Sequence, residues 1–145
     1  TQGVKAVYRV NEYERPEPDM KYSGEYVNLD KALNYRNGKY DGRGTVVAVI
    51  DSGVDYNHKD MRLDYPENAK LSENAVTARI HDNNLGGKYF TEKVPYGYNY
   101  FDKNDQVIDK GDGASMHGMH VAGTVAANGN DEGINGIAPE AQVLA

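Results

Sequence analysis

No cysteine occurs in the 145 residues. That absence excludes a disulfide framework, a thiolate nucleophile, a cysteine zinc site and a thiol redox motif. It fits a bacterial exoprotein without establishing one, because cytosolic proteins also lack Cys. Tryptophan is missing too, and Phe occurs only twice against 12 Tyr and 16 Gly, a profile of many turns and exposed aromatic surface. Positive charge is in deficit: 16 Lys and Arg face 22 Asp and Glu, for a net charge of −6. A sequence-independent grip on nucleic acid needs a basic face, so that partner class is excluded, as is attraction to an anionic membrane. No apolar run approaches the roughly 20 residues that span a bilayer, so no direct membrane insertion is expected. Thr1 to Val10 has no apolar stretch of the kind a signal peptide carries. The length allows one domain that buries roughly 70% of its unfolded surface.

What is present is unevenly distributed. Residues 1–37 read as an arm: alternating Val4, Ala6, Tyr8 and Val10 suggest an edge strand, and Pro16 and Pro18 keep the chain extended to about Asn28. A short helix is expected from Asn28 to Arg36, with Asn28 as N-cap, ended by Gly38, Gly42 and Gly44. Thr45-Val46-Val47-Ala48-Val49-Ile50 is uncharged and rich in β-branching. A continuous apolar run predicts a central parallel strand covered on both faces, with Asp51 at its C-terminal edge, where open α/β sheets place their chemistry. Residues 61–110 form a long excursion in which a helix is expected near Glu73 to Ala78 and a strand near Tyr98 to Phe101. The acidic run Asp102 to Asp112 reads as a solvated loop. His117 to Ala127 predicts a buried helix of small residues, with Val121 and Val125 on one face. Gln142 to Ala145 begins another strand.

Asp51-Ser52-Gly53 alone is what a turn after a strand looks like. Two histidines three apart, His117 and His120, are by themselves either packed groups or metal ligands. Their combination is more specific: an apolar strand ending in Asp51-Ser52-Gly53-Val54-Asp55, then His117-Gly118-Met119-His120-Val121-Ala122-Gly123 opening a helix. This pattern resembles the subtilisin-like serine peptidases, from about Gly38 to Ala145. Gly42 and Gly44 resemble the family's entry to its first core strand, and Gly136-Ile137-Ala138-Pro139 its turn after the helix. His58-Lys59-Asp60, Val94-Pro95-Tyr96-Gly97-Tyr98 and Met119 resemble the cell-envelope branch of Gram-positive bacteria. The fold implied is α/β, subtilisin-like, with a mostly parallel central sheet and helices on both faces. Residues 38–145 would form the N-terminal portion of that domain, with the excursion 61–110 as an insertion that either borders the cleft or decorates the surface.

The resemblance implies Asp51 as the orienting carboxylate and His117 as the general base of a triad. A strand end and a helix start facing one sheet edge let a carboxylate accept the imidazole Nδ1–H and free Nε2 as base, and Gly118 and Gly123 would allow close backbone approach. The nucleophile is not evident. Ser23, Ser52, Ser72 and Ser115 are the only serines, none lies in a Gly-Thr-Ser setting, and Ser115 reads as a cap or loop hydroxyl. The implied partners are therefore a protein or peptide substrate and the remainder of the chain's own catalytic domain, carrying the Ser, in a secreted, cell-wall-anchored peptidase. A calcium site is also implied, built from Asp60, the Asn130 side chain and the carbonyls of Asn128, Glu132 and Ile134. His58 is expected to be structural, His81 to lie on the surface and His120 to pack within the helix region. The competing readings are an inactive binding or adhesion module of the same fold and a His-based metal hydrolase. The latter is disfavoured because catalytic zinc helices present His at i and i+4 beside a Glu.

Overall fold

The computed structural model describes residues 20–34, 40–130 and 133–145. The expected edge strand at Val4 to Val10, the proline arm and Glu132 lie outside them. The extended reading stops at Met20, because Met20–Tyr26 is a helix, α1. The prolines that suggested extension lie upstream of its first turn and do not constrain it. Asn28 then takes a left-handed conformation, φ 55° and ψ 42°, and Leu29–Leu33 forms α2. Asn28 does stand at the N-cap position, but its side chain caps nothing there and instead accepts from Lys31 Nζ at 2.8 Å.

The centre of the fold is a parallel pair. Val46–Ala48 (β1) pairs with Gln142–Leu144 (β2) in the register Val46 with Gln142, Val47 with Val143 and Ala48 with Leu144. The segment 93–98 runs along the other side of β2: Val143 N–H donates to Lys93 O, Ala145 N–H to Tyr96 O and Tyr98 N–H to Ala145 O. The strand expected at Tyr98 to Phe101 is thus displaced toward Lys93, and Asn99 to Asn104 closes a turn instead. Between the strands, among the described residues, lie two α-helices, Glu73–Asp82 (α3), capped by the Ser72 side chain on Ala75 N–H, and His117–Ala126 (α4).

Helix α4 packs on the sheet through Gly118, Ala122 and Ala126, spaced four apart and all buried. Val121 and Val125, the pair expected to lead, flank that stripe and are partly buried. Small residues win the central positions because they bring the helix axis close to the strands. The core joins Ala122, Ala126 and Ala127 to Val49, Val54, Met61, Val94, Ala141 and Val143. The end of α4 is closed by the turn into β2. Gly136, Ile137 and Ala138 N–H groups donate to the carbonyls of Ala127, Thr124 and Val125, pairing acceptors that a helix C-terminus otherwise leaves open.

The first strand differs from its expectation on one face. Val49 is buried, but Ala48 is exposed and Ile50 is 96% exposed. β1 is parallel as expected and covered on one side only, since α4 supplies one layer and no described element supplies the other.

Candidate active site

The turn after β1 and the start of α4 meet over two glycines. A Cβ on Gly118 would lie 2.5 Å from Gly53 O and 3.1 Å from the Asp51 Cβ, so only glycine permits this approach. Gly53 itself holds φ 131°, and Val54 N–H donates to Val107 O at 2.7 Å, which locks the turn against the excursion. Gly123, also expected to allow close approach, faces open space.

This packing places the His117 Nδ1 at 2.8 Å from both Asp51 carboxylate oxygens. A carboxylate only accepts, so Nδ1 carries the proton and Nε2 is the basic nitrogen. The imidazole is 60% exposed and the carboxylate 21%. The His117 hydrogen bond, with the Ser52 N–H second, holds the Asp51 carboxyl below its ordinary value and keeps it ionised. Sequence reasoning placed both residues, and the structure brings them together.

Two hydroxyls complete the junction, and to one of them, that of Ser52, the sequence had assigned no role. Ser52 Oγ donates to Ser115 O at 3.1 Å and accepts from Gly118 N–H at 3.0 Å. Ser115 Oγ accepts from His117 N–H at 3.2 Å, the local hydroxyl role expected of it, and Ser115 N–H donates to Asp109 Oδ2 at 2.6 Å. The acidic run is therefore not wholly solvated, because Asp109 holds the approach to α4. The signal for Ser52 was its position between a strand-end Asp and a Gly. The excursion also borders the site: an open cleft of about 640 Å³ beside Asp51 and Ile50 is walled by Tyr98, Phe101, Val107 and Leu144.

The remaining histidines sit apart. His58 Nδ1 accepts from Asp60 N–H at 3.2 Å within a turn, as a structural residue does. His81 is exposed beside Asp82. His120 is exposed, against the expectation that it packs, because its helical position faces away from the Gly118, Ala122 and Ala126 stripe. Among the described residues no three His, Asp or Glu side chains converge as a metal site would require.

The calcium candidates are partly assembled. Asp60 is buried, and Asn128 and Ile134 close over it: Asn128 N–H donates to Asp60 O, and Ile134 N–H to its Oδ2. Burial pushes the Asp60 carboxyl up, but Lys59 and the Ile134 N–H together outweigh it and hold it below its ordinary value. The set fits an ion only in part. Asp60 Oδ1 accepts from Lys59 Nζ, the Asn128 carbonyl from Arg62 Nε and the Ile134 carbonyl from Gly129 N–H. The Asn130 amide reaches toward Asp64 at 3.5 Å.

Comparison with known proteins agrees with this geometry. Residues 42–145 match the subtilase family of S8 peptidases. The chain is 49% identical over 115 residues to the PII-type proteinase of Lactococcus lactis subsp. cremoris, covering 77% of this chain and 6% of that protein. It is 34% identical over 133 residues to the minor extracellular protease Vpr of Bacillus subtilis, 88% of this chain and 12% of that one. To the C5a peptidase of Streptococcus pyogenes it is 34% identical over 121 residues, 79% and 10%. The chain thus spans a small fraction of the relatives it matches. A strand-end Asp joined to a helix-start His, within a match that covers most of the chain, settles its membership: it belongs to the subtilase family, with the subtilisin-like α/β fold.

Proposed function

We propose that the chain supplies the Asp and His of a serine endopeptidase that cleaves proteins through an acyl-enzyme. The observation that carries this is the Asp51 to His117 contact, 2.8 Å to each carboxylate oxygen, with the imidazole open to solvent. Asp51 fixes the tautomer and stabilises the cation that forms when Nε2 takes a proton from the attacking hydroxyl. The same nitrogen then returns the proton to the leaving amine. The nucleophile would come from elsewhere in the protein. Ser52 and Ser115 are engaged at the junction, Ser72 caps α3 and Ser23 lies in α1. The partner is then the part of the catalytic domain that bears the nucleophile and covers the open face of β1. A secreted, wall-associated location is proposed from the resemblance to the cell-envelope branch and by analogy with the minor extracellular protease Vpr.

The test uses the full-length protein. His117→Ala is expected to lower kcat about 10⁴- to 10⁶-fold with little change in KM. A serine-directed fluorophosphonate is expected to label the wild type outside residues 1–145. Near wild-type turnover by His117→Ala would overturn the reading. A folded protein without labelling or hydrolysis would make it a binding module.

Calcium at the Asp60 loop is a separate proposal, resting on the approach of Asn128 and Ile134 to the buried Asp60. The ion must displace Lys59 Nζ from Asp60 Oδ1 and Arg62 Nε from the Asn128 carbonyl. Millimolar Ca²⁺ is expected to raise the Tm of the full-length protein, and Asp60→Asn to abolish the rise. Equal melting with and without the ion, after chelation, would remove the site.

A further inference from the structure

The first turn of α4 is capped in part from outside its own chain segment. Met116 occupies the N-cap position and offers no side-chain acceptor, so the leading N–H groups must find other partners. Ser115 Oγ takes the His117 N–H, and Ser52 Oγ, 66 residues away in sequence, takes the Gly118 N–H. Ser52 also donates to Ser115 O, so one hydroxyl ties both sides of the helix start to the residue that follows Asp51. The Ser52 N–H in turn donates to Asp51 Oδ1 at 2.7 Å. Ser52 is exposed and belongs to no core cluster, whereas α4 is held to the sheet by Ala122 and Ala126 further along.

We propose that Ser52 is a positioning residue: its hydroxyl fixes the start of α4 against the Asp51 turn and so holds His117 in register with the carboxylate. This rests on the reading of Asp51 and His117 as a catalytic pair. Removing the hydroxyl frees the Gly118 N–H and the Ser115 carbonyl to bind water and lets the first turn shift, while the packing of α4 further along stays in place. Misplacement of a catalytic group by a fraction of an ångström acts on the chemical step, not on substrate binding. The expected signature is therefore a loss in kcat at constant KM, reversed by any side chain that restores the hydroxyl.

The experiment compares Ser52→Ala, Ser52→Thr and His117→Ala in the full-length protein by peptide hydrolysis, with thermal melting to establish the folded fraction. Ser52→Ala is expected to lower kcat about ten-fold with KM unchanged and the protein folded at assay temperature. Ser52→Thr is expected to recover most of the rate. In proton NMR, the hydrogen-bonded His117 Nδ1–H resonance, assigned by its loss in His117→Ala, is expected to broaden in Ser52→Ala and to return in Ser52→Thr. Wild-type kcat in Ser52→Ala, or equal losses in the Ala and Thr variants, would overturn the inference. If His117→Ala inactivates while Ser52→Ala does not, the positioning role alone fails. Should His117→Ala remain active, the catalytic reading fails first.

Discussion

Gly118 shows how one residue decides the geometry of the pair. In an ordinary helix, Ala in place of Gly is favoured by about 1 kcal/mol. Here the added Cβ would meet Gly53 O at 2.5 Å and Gly53 N at 2.8 Å. Both are backbone atoms in a turn already held by Val107, so the helix must move instead. Gly118→Ala is thus expected to destabilise the full-length protein by about 1 to 3 kcal/mol and to cut kcat more than ten-fold, measured by denaturant unfolding and by hydrolysis. A stabilised, fully active variant would show that the turn yields. Asp51→Asn probes the other side of the contact. The amide cannot stabilise the imidazolium and can offer Nδ1 a donor where it needs an acceptor, so a kcat loss of about 10⁴ is expected with the fold retained.

At the scale of elements, β2 does more than pair with β1. Gln142 is buried within it; its Nε2 donates to Leu71 O and Glu92 O, and its Oε1 accepts from Leu71 N–H. Glu140 just before it accepts from the Asp64 and Tyr65 N–H groups and from Asn128 Nδ2. These two side chains hold the excursion to the sheet. Gln142→Leu removes the partner of three part-buried backbone groups and is expected to cost about 2 to 3 kcal/mol, read as a lower Tm. Lys93, on the neighbouring segment, is buried with its Nζ on Pro139 O. Burial pushes it down to about 8, against the pull of Glu140 and Asp64. The unfolded chain therefore holds this proton more tightly, and stability should rise between pH 8 and 10 as the folded amine loses it. Lys93→Met is expected to flatten that rise in Tm, and an identical pH profile would sink the assignment. The sequence showed β1, α4 and β2 because uniform apolar runs and small-residue spacing are strong local signals. Segment 93–98 was harder to place because Pro95 and Gly97 look like chain punctuation, yet β2 recruits the backbone around them, at Lys93, Tyr96 and Tyr98. The roles of Gln142 and Lys93 were illegible, since a buried polar side chain is defined by partners some 50 to 70 residues away.

For the molecule as a whole, the open side of β1 is the feature that sequence and structure explain together. Thr45 to Ile50 reads as a strand apolar on both faces, yet Ile50 is 96% exposed, Phe101 94% and Tyr100 73%. The run was composed for two covered faces, and the described residues cover one. Asp51, at the end of that strand, therefore stands at the border between a finished layer and an unfinished one. Contiguous apolar surface of this kind marks a contact to be made, and when bare it drives self-association. The net charge of −6 opposes aggregation in general but is not aimed at this patch. Expressed as the 145 residues alone, the chain is expected to bind a hydrophobic dye strongly and to associate in sedimentation. Ile50→Asp should reduce both without lowering helicity, because the side chain leaves the core of Val49 and Val143 untouched. In the full-length protein the same substitution should instead lower the Tm, since there it would place an unpaired carboxylate under the second layer. A variant that behaves alike in both settings would mean that this face stays open in the full-length protein.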